Sequence, residues 1–334
     1  MSAIQPTQAR HIPNRLDRPL RSALLSWEAL LVAVAVAIFI VNSLASPYFL
    51  DVWSLSDLTF NFTEKALIAL AMALLIIAGE IDLSVAAIIA LASTLMGMAA
   101  QLGFGTPALV GIGICAGLAC GVFNGLLVTR LGLPSIVVTI GTMSLFRGIA
   151  FIILGDQAYK GYPASFAFFG QGYVWWVVSF ELVLFLAAAV VYYVLLHRTN
   201  FGRYVFAIGN NPVAAQFSGV RVNRIKLVLF CLTGLMSGMA AVLITSRLGS
   251  TRPSIAQGYE LEVITMVVLG GVSILGGSGS IAGVVLAALI MGLVTFGLGL
   301  LNVPGIVMSI FVGLLLILVI ALPLVWRRLL RKAA

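Results

Sequence analysis

Long apolar runs, broken by short turns rich in glycine and proline, fill most of this chain. Runs of about 20 residues recur at about 27–46, 63–79, 83–101, 106–128, 134–154, 174–196, 226–246, 261–275, 280–300 and 304–325. None alternates apolar and polar residues in ten-residue segments, the mark of a membrane barrel strand. Continuous runs of this length are read as helices that cross a bilayer. The turns GFGTP (103–107), LGLP (131–134) and NVPG (302–305) carry the backbone chemistry of tight connections. Two longer connections interrupt the pattern: an aromatic and glycine-rich one at 155–173, and a polar one at 197–225.

Composition turns this pattern into a class. The chain is 61% hydrophobic and 9% charged, against about 25% charged in soluble domains, and its mean hydropathy is +1.15. Only helices or closed barrels satisfy their backbone inside a bilayer. The expectation is therefore an all-α polytopic membrane protein of about ten transmembrane helices. Cys115, Cys120 and Cys231 all fall in apolar runs and read as small core residues.

Orientation follows from Lys and Arg, which concentrate in cytoplasmic loops. Thirteen of the 19 basic residues lie in three places. Four are Arg10, Arg15, Arg18 and Arg21; five are Arg198, Arg203, Arg221, Arg224 and Lys226; four are Arg327, Arg328, Arg331 and Lys332. All three clusters are expected inside, so both termini are expected to be cytoplasmic. Residues 1–22 are expected as a flexible basic tail, 23–326 as the membrane domain, and 327–334 as a second basic tail. Basic residues before the apolar run Ala29–Val41 resemble a signal peptide. The long basic region and Glu28 at the edge of the run favour an uncleaved first span. The net charge of +8 is accounted for by these clusters and asks for no nucleic acid.

Against this background AGEIDLSVAAI (78–88) stands out. A charge at a helix centre in hydrocarbon costs about 2.5–3.5 kcal/mol on insertion scales, yet Glu80 and Asp82 sit between two apolar runs. The topology moves them to a helix join on the cytoplasmic half. There Gly79 ends one helix and Asp82 or Ser84 caps the next. Glu80 is expected to face a polar cavity between helices, and broken helices beside polar residues also mark transporter pathways. A similar break, LGGVSILGGSGSIAG, recurs at 269–283, where small residues permit close helix packing. Arg147, inside the fifth span, has three readings: snorkelling outward, pairing with an acid, or lining the path. Glu260 and Glu262 open the eighth span from outside, where they suit a helix N-terminus. Glu80, Asp82, Ser84, Asn124, Arg147 and Glu260 are thus the candidates for a translocation path or for structural motifs.

Catalytic chemistry is not written in the chain. No Gly-Lys pair occurs, so the phosphate-cradling loop GxxxxGK[ST] is missing and ATP hydrolysis is not expected of this chain. HExxH, CxxC and GxSxG do not occur, and the serines have no paired base. No cofactor, metal or catalytic residue is assigned.

The polar loop carries GNNPVAAQFSGV (209–220). Asn211 suits an N-cap, Pro212 a first helical position and Gly219 the residue after a helix end. A short helix over 212–218 is expected, exposing Ala214, Ala215 and the anchor Phe217. Such a helix either docks in the groove of a cytoplasmic partner or lies on anionic lipid.

Four stretches occur in order: AGEIDLSVAAI, NGLLVTRLGLPSIVVTIGTMSLFRGIAF (124–151), FGRYVFAIGNNPVAAQFSGVRVNRIK (201–226) and GYELEVITMVVLGGVSILGGSGSIAG (258–283). Together they resemble the permease subunit of sugar-type bacterial ABC importers, the ribose, xylose, arabinose and autoinducer-2 group. The resemblance covers about 27–325. It implies a permease of about ten helices in the bacterial inner membrane, importing a monosaccharide such as a pentose or rhamnose, or a related small polyol. It also implies three partners: a cytoplasmic ABC-type ATPase, a periplasmic sugar-binding protein, and a second copy or sister permease. In that family the AA-x-x-SG stretch contacts the ATPase, which here means Ala214, Ala215, Ser218 and Gly219, and decides for a docking helix. Within the family the chain resembles the rhamnose branch more than the ribose branch. One departure is Glu80, where the family usually reads GGIDLS, so a role needing bare backbone there is in doubt. The competing reading is a proton-coupled secondary transporter using Glu80, Asp82 or Glu181.

Overall fold

A computed structural model describes residues 27–155 and 157–311, with positions 313, 314 and 317. The expected tails 1–22 and 327–334, and half of the tenth span, lie outside the described residues. The helices are α1 Trp27–Ala45, α2 Val52–Ile77, α3 Val85–Gln101, α4 Thr106–Arg130, α5 Ser135–Leu154, α6 Phe168–Gln171, α7 Phe180–His197, α8 Asn200–Asn210, α9 Pro212–Phe217, α10 Val222–Leu248, α11 Tyr259–Leu269 and α12 Ile281–Leu300. A further helical stretch follows at 305–311. Four short strands, β1 Tyr159–Lys160, β2 Tyr173–Trp175, β3 Val178–Ser179 and β4 Ser250–Thr251, form two antiparallel pairs, β1 with β4 and β2 with β3.

Among the described residues seven helices are long and apolar enough to cross a membrane, α1, α2, α4, α5, α7, α10 and α12. The expected span 63–79 starts eleven residues earlier, at Val52. Its polar first half is tolerated because neighbours satisfy it: Ser56 donates to Val177 O at 2.6 Å, and the Thr59 and Ser179 hydroxyls lie 2.8 Å apart. Conversely, α7 starts six residues later than 174, because 173–179 turns into the β2–β3 hairpin and Ser179 caps the helix. The expected span 261–275 is an 11-residue half-helix, about 16 Å long, followed by non-helical backbone to Ser280. The 197–225 connection holds α8 as well as the expected short helix.

Helix α2 is the centre of the bundle. Every residue from Ala66 to Ile77 is fully buried, as suits a helix apolar all round, and it packs against α7, α10, α11 and α12. Successive membrane segments run alternately between two ends. One, the break end, gathers the residues after Ile77, the α8–α9 loop and the residues after Leu269. The other, the ribbon end, is tied by the β1–β4 pair, which joins the 155–173 and 249–258 loops.

The closest crossing is between α4 and α10. Gly113, Gly117, Gly121 and Gly125 repeat every four residues along α4; the first three face Gly234 and Gly238, and Gly125 faces Leu227 and Phe230. A Cβ at Gly117 would stand 2.4 Å from Gly234 O, and one at Gly121 2.4 Å from Phe230 O. Between helices in lipid, close van der Waals packing replaces the hydrophobic drive. We expect Gly117→Leu to destabilise the purified protein by about 3 kcal/mol, the upper range for overpacking, read as thermal loss of the monodisperse size-exclusion peak. Gly111→Leu, on an open face of the same helix, stays within about 0.5 kcal/mol of wild type; equal behaviour of the two variants would refute the tight crossing.

Candidate functional site

Three helices at the break end close by one device. After Ile77, Gly79 adopts φ 82°, Gly79 N–H donates to Ile76 O at 2.9 Å and Glu80 N–H to Leu75 O at 3.1 Å. After Leu269, Gly271 has φ 84°, with Gly271 N–H on Val268 O at 2.9 Å and Val272 N–H on Val267 O at 3.3 Å. After Phe217, Gly219 has φ 84°, with its N–H on Gln216 O at 3.0 Å and Val220 N–H on Ala215 O at 3.1 Å. This paired closure satisfies end carbonyls and needs a residue at positive φ, hence glycine.

The two breaks and the loop meet at one point. Gly277 N–H donates to Ile77 O at 2.9 Å. Gly209, near the end of α8, lies so close that a Cβ there would stand 1.8 Å from Ile77 O and 2.5 Å from Gly277 N. Asn210 Nδ2 donates to Gly277 O at 3.2 Å. Glu80 does not open onto a free polar cavity: it is ion-paired with Lys226, in the first turns of α10.

Capping by Asp82 or Ser84 takes a different form from the expected one. Ser84 occupies the N-cap position of α3, but its side chain makes no cap bond. Instead Asn124 Nδ2 donates to Ser84 Oγ at 2.8 Å, Ser84 Oγ donates to Asp82 Oδ1 at 2.6 Å, and Ser84 N–H donates to the same oxygen at 2.8 Å. All three side chains are fully buried. The chain ties the break to α4. Ile81 N–H, donating to Ser135 Oγ at 3.3 Å, ties it to α5.

In the loop, Asn211 Oδ1 accepts from Ala214 N–H at 3.0 Å and starts α9 at Pro212. Phe217 is 90% exposed and Ala214 is exposed, but Ala215 is buried. Ala215 therefore packs inward, against the expected exposure, because it lies on the helix face turned to its own bundle. A groove of about 350 Å³ runs beside α9, between Pro212, Val213, Gln216 and Arg221.

Arg147 and Glu260 are not part of this site; they lie toward the ribbon end. Arg147 Nη1 donates to Pro253 O at 2.7 Å and Ile255 O at 3.2 Å, so it pins the loop before α11. Glu260 is in the first turn of α11, as expected. The aromatic loop residues are partly internal: Phe166 is buried and stacks on Tyr162 with ring centres 5.1 Å apart. Sequence reasoning missed an ion network here. Arg247 Nη2 donates to Glu64 Oε2 at 3.0 Å, Lys65 pairs with Glu262 at 2.5 Å, and Thr63 donates to Glu181 at 2.7 Å. The signal was Glu64-Lys65 inside an apolar run, since intramembrane charges rarely stand unpaired. Glu181 thus lies toward the opposite end from Glu80 and Asp82.

Residues 54–320 match the family described as branched-chain amino acid transport system / permease component. The chain is similar to the autoinducer 2 import system permease protein LsrD of Salmonella typhimurium, 36% identical over 306 residues, 88% of this chain and 90% of that one. It is 35% identical over 302 residues to LsrD of Klebsiella pneumoniae, covering 89% and 91%. To the ribose import permease protein RbsC of Bacillus subtilis it is 35% identical over 285 residues, covering 85% and 88%. No solved structure matches it.

We expect Asp82→Asn to keep the Oδ1 acceptor and to melt within about 1 kcal/mol of wild type, the worth of one hydrogen bond. Asp82→Leu strands the Ser84 hydroxyl and N–H and costs about 1–3 kcal/mol for each group left unmatched. Thermal unfolding of the purified proteins decides; a harmless leucine would remove the buried chain from the account.

Proposed function

The chain belongs to the branched-chain amino acid transport system / permease component family, and on that premise we propose that it is the permease subunit of an ATP-driven, binding-protein-dependent importer of a monosaccharide or small polyol in the bacterial cytoplasmic membrane. The relatives named for autoinducer 2 and ribose import support that substrate class. A pentose or a deoxyhexose such as rhamnose is the size in view. The partners are a cytoplasmic ATPase, a periplasmic binding protein, and a second copy or sister permease.

The observation that carries the reading is the junction of Ile77, Gly209 and Gly277. ATP binding closes the ATPases; a docked α9 moves with them. Helix α9 is capped at both ends and joined through Asn210 and Asn211 to α8, so it moves as a stiff piece. Its displacement reaches both helix breaks at Gly209, and reaches Glu80 again through the root of α10 at Lys226. Half-helix ends shift without unwinding a continuous helix, which is why broken helices suit alternating access. The sugar then passes between two permeases, and ATP hydrolysis stays in the ATPase. The binding protein docks on 155–173 and 247–260. Ten spans with both termini inside place the 197–225 loop, and with it Asn211, Pro212, Ala214, Phe217, Ser218 and Gly219, on the ATPase side. The tails 1–22 and 327–334 then lie on that side too.

Phe217→Asp tests the docking. We expect unchanged membrane levels and a loss of co-purifying ATPase of about 30-fold, as for an aromatic hot spot worth about 2 kcal/mol, with ATP-driven uptake lost. A helix that only lies on lipid would keep its ATPase under the same substitution, and retained ATPase with intact uptake would remove α9 from the mechanism.

Sidedness has its own test. In a cysteine-free background, Ser218→Cys should be shielded from an impermeant thiol reagent in intact cells and Ala164→Cys should react. Labelling of position 218 from outside would overturn the orientation.

A further inference from the structure

A cavity of about 440 Å³ opens between α2, α11, α12 and the helical stretch that begins at Gly305. It lies toward the ribbon end: Lys65 is twelve residues before Ile77, about 18 Å of helix. Lys65 and Glu262, paired at 2.5 Å with most of both side chains buried, form one part of its wall. The Lys65 ammonium also stands 4.5 Å from the centre of the Tyr259 ring, which holds it in place. A charged pair at this depth belongs beside a polar path, not beside lipid.

The hydrogen-bonding state of the other wall groups says what fits. Asn61 Nδ2 donates to Asp57 O at 3.1 Å, leaving its carbonyl oxygen with both lone pairs and one further N–H. Thr295 Oγ1 donates to Met291 O at 2.9 Å and Ser309 Oγ to Gly305 O at 3.2 Å, so both hydroxyls offer only lone pairs. Glu262 has lone pairs beyond its bond to Lys65, and Lys65 has further N–H groups. Acceptors therefore outnumber donors, while the two formal charges cancel. The matching solute is neutral and rich in hydroxyl donors. Phe296, also on the wall, offers an apolar ring to a C–H face, and the volume lies at the small end of ligand sites, about 300–1,000 Å³.

We propose that this cavity is a solute subsite for a neutral, ring-shaped polyol of pentose or hexose size, occupied before the solute reaches the helix breaks. The proposal rests on the permease reading and adds to it a place and a chemistry. The outer carboxylate, the ammonium and the three acceptor oxygens hold the hydroxyl rim; the Phe296 ring covers one face.

The test uses the full transporter in proteoliposomes, with Cys115, Cys120 and Cys231 changed to Ala and Ser309→Cys as reporter. The rate of alkylation by N-ethylmaleimide is measured with D-ribose, L-rhamnose or D-ribose 5-phosphate at matched millimolar concentration. The two neutral sugars should slow labelling severalfold, and the phosphate should not. Thr295→Cys is a second reporter in case Ser309→Cys fails to assemble, and Ser218→Cys on the loop controls for general sugar effects. Labelling unaffected by either neutral sugar, slowed equally by the phosphate, or slowed equally at position 218 overturns the subsite. ATP-driven accumulation by the wild-type transporter is measured alongside. Accumulation without protection sinks the subsite and leaves the permease reading; protection without accumulation keeps the subsite and sinks that reading.

Discussion

A helix that stops inside a bilayer leaves its last carbonyls with no water to turn to. This chain stops two helices in the same predicament, among buried residues at Ile77 and Leu269, and much of its architecture follows from how those carbonyls are satisfied. The glycine closures at Gly79 and Gly271 take the inner ones. The terminal ones are met from elsewhere: Ile77 O receives Gly277 N–H, and Leu269 O receives the Trp27 indole N–H at 2.9 Å. Each break is thereby tied to a distant segment. Gly277 can reach Ile77 only because Gly209 carries no side chain at that spot, so the α8–α9 loop is built onto the breaks as a consequence of hydrogen-bond closure.

The rest of the bundle keeps that point fixed without filling it. The α4–α10 crossing holds the root of the loop by backbone contact, and dispersion at such short range is the main attraction available between helices in lipid. The buried chain Asn124–Ser84–Asp82 holds the start of α3 to α4. Interhelical hydrogen bonds in a membrane are worth about 0.6 kcal/mol on average, so this chain contributes more to position than to stability. At the ribbon end, Glu64–Arg247 and Lys65–Glu262 brace α2 against α10 and α11.

Class, breaks and the short loop helix were legible in the sequence because each rests on a local rule. Run length sets a span, Gly79 and Gly271 mark helix ends, and Asn211, Pro212 and Gly219 bound a helix wherever they occur. What was illegible depends on a distant partner. The first half of α2 reads as polar loop until Val177, Ser179 and Glu181 are placed beside Ser56, Thr59 and Thr63. Ala214 and Ala215 are identical in sequence terms, and only the packing of α9 tells the exposed from the buried one. Arg147 had three possible fates, and the carbonyls it found belong to a loop a hundred residues away.

Glu80 shows how such a departure is absorbed. The resemblance drawn from the sequence raised the question of whether bare backbone is needed at position 80. The left-handed residue is Gly79, while Glu80 is not among the positive-φ residues, so a side chain at 80 costs no backbone strain. What it does cost is the desolvation of a carboxylate in a mostly apolar setting, and Lys226 offsets that by pairing with it. The two side chains remain partly exposed, 19% and 11%, so the pair keeps some contact with solvent. The root of α10 is therefore joined to the first break by an ion pair that the bare glycine backbone of Gly79 leaves room for and that answers the charge Glu80 brings.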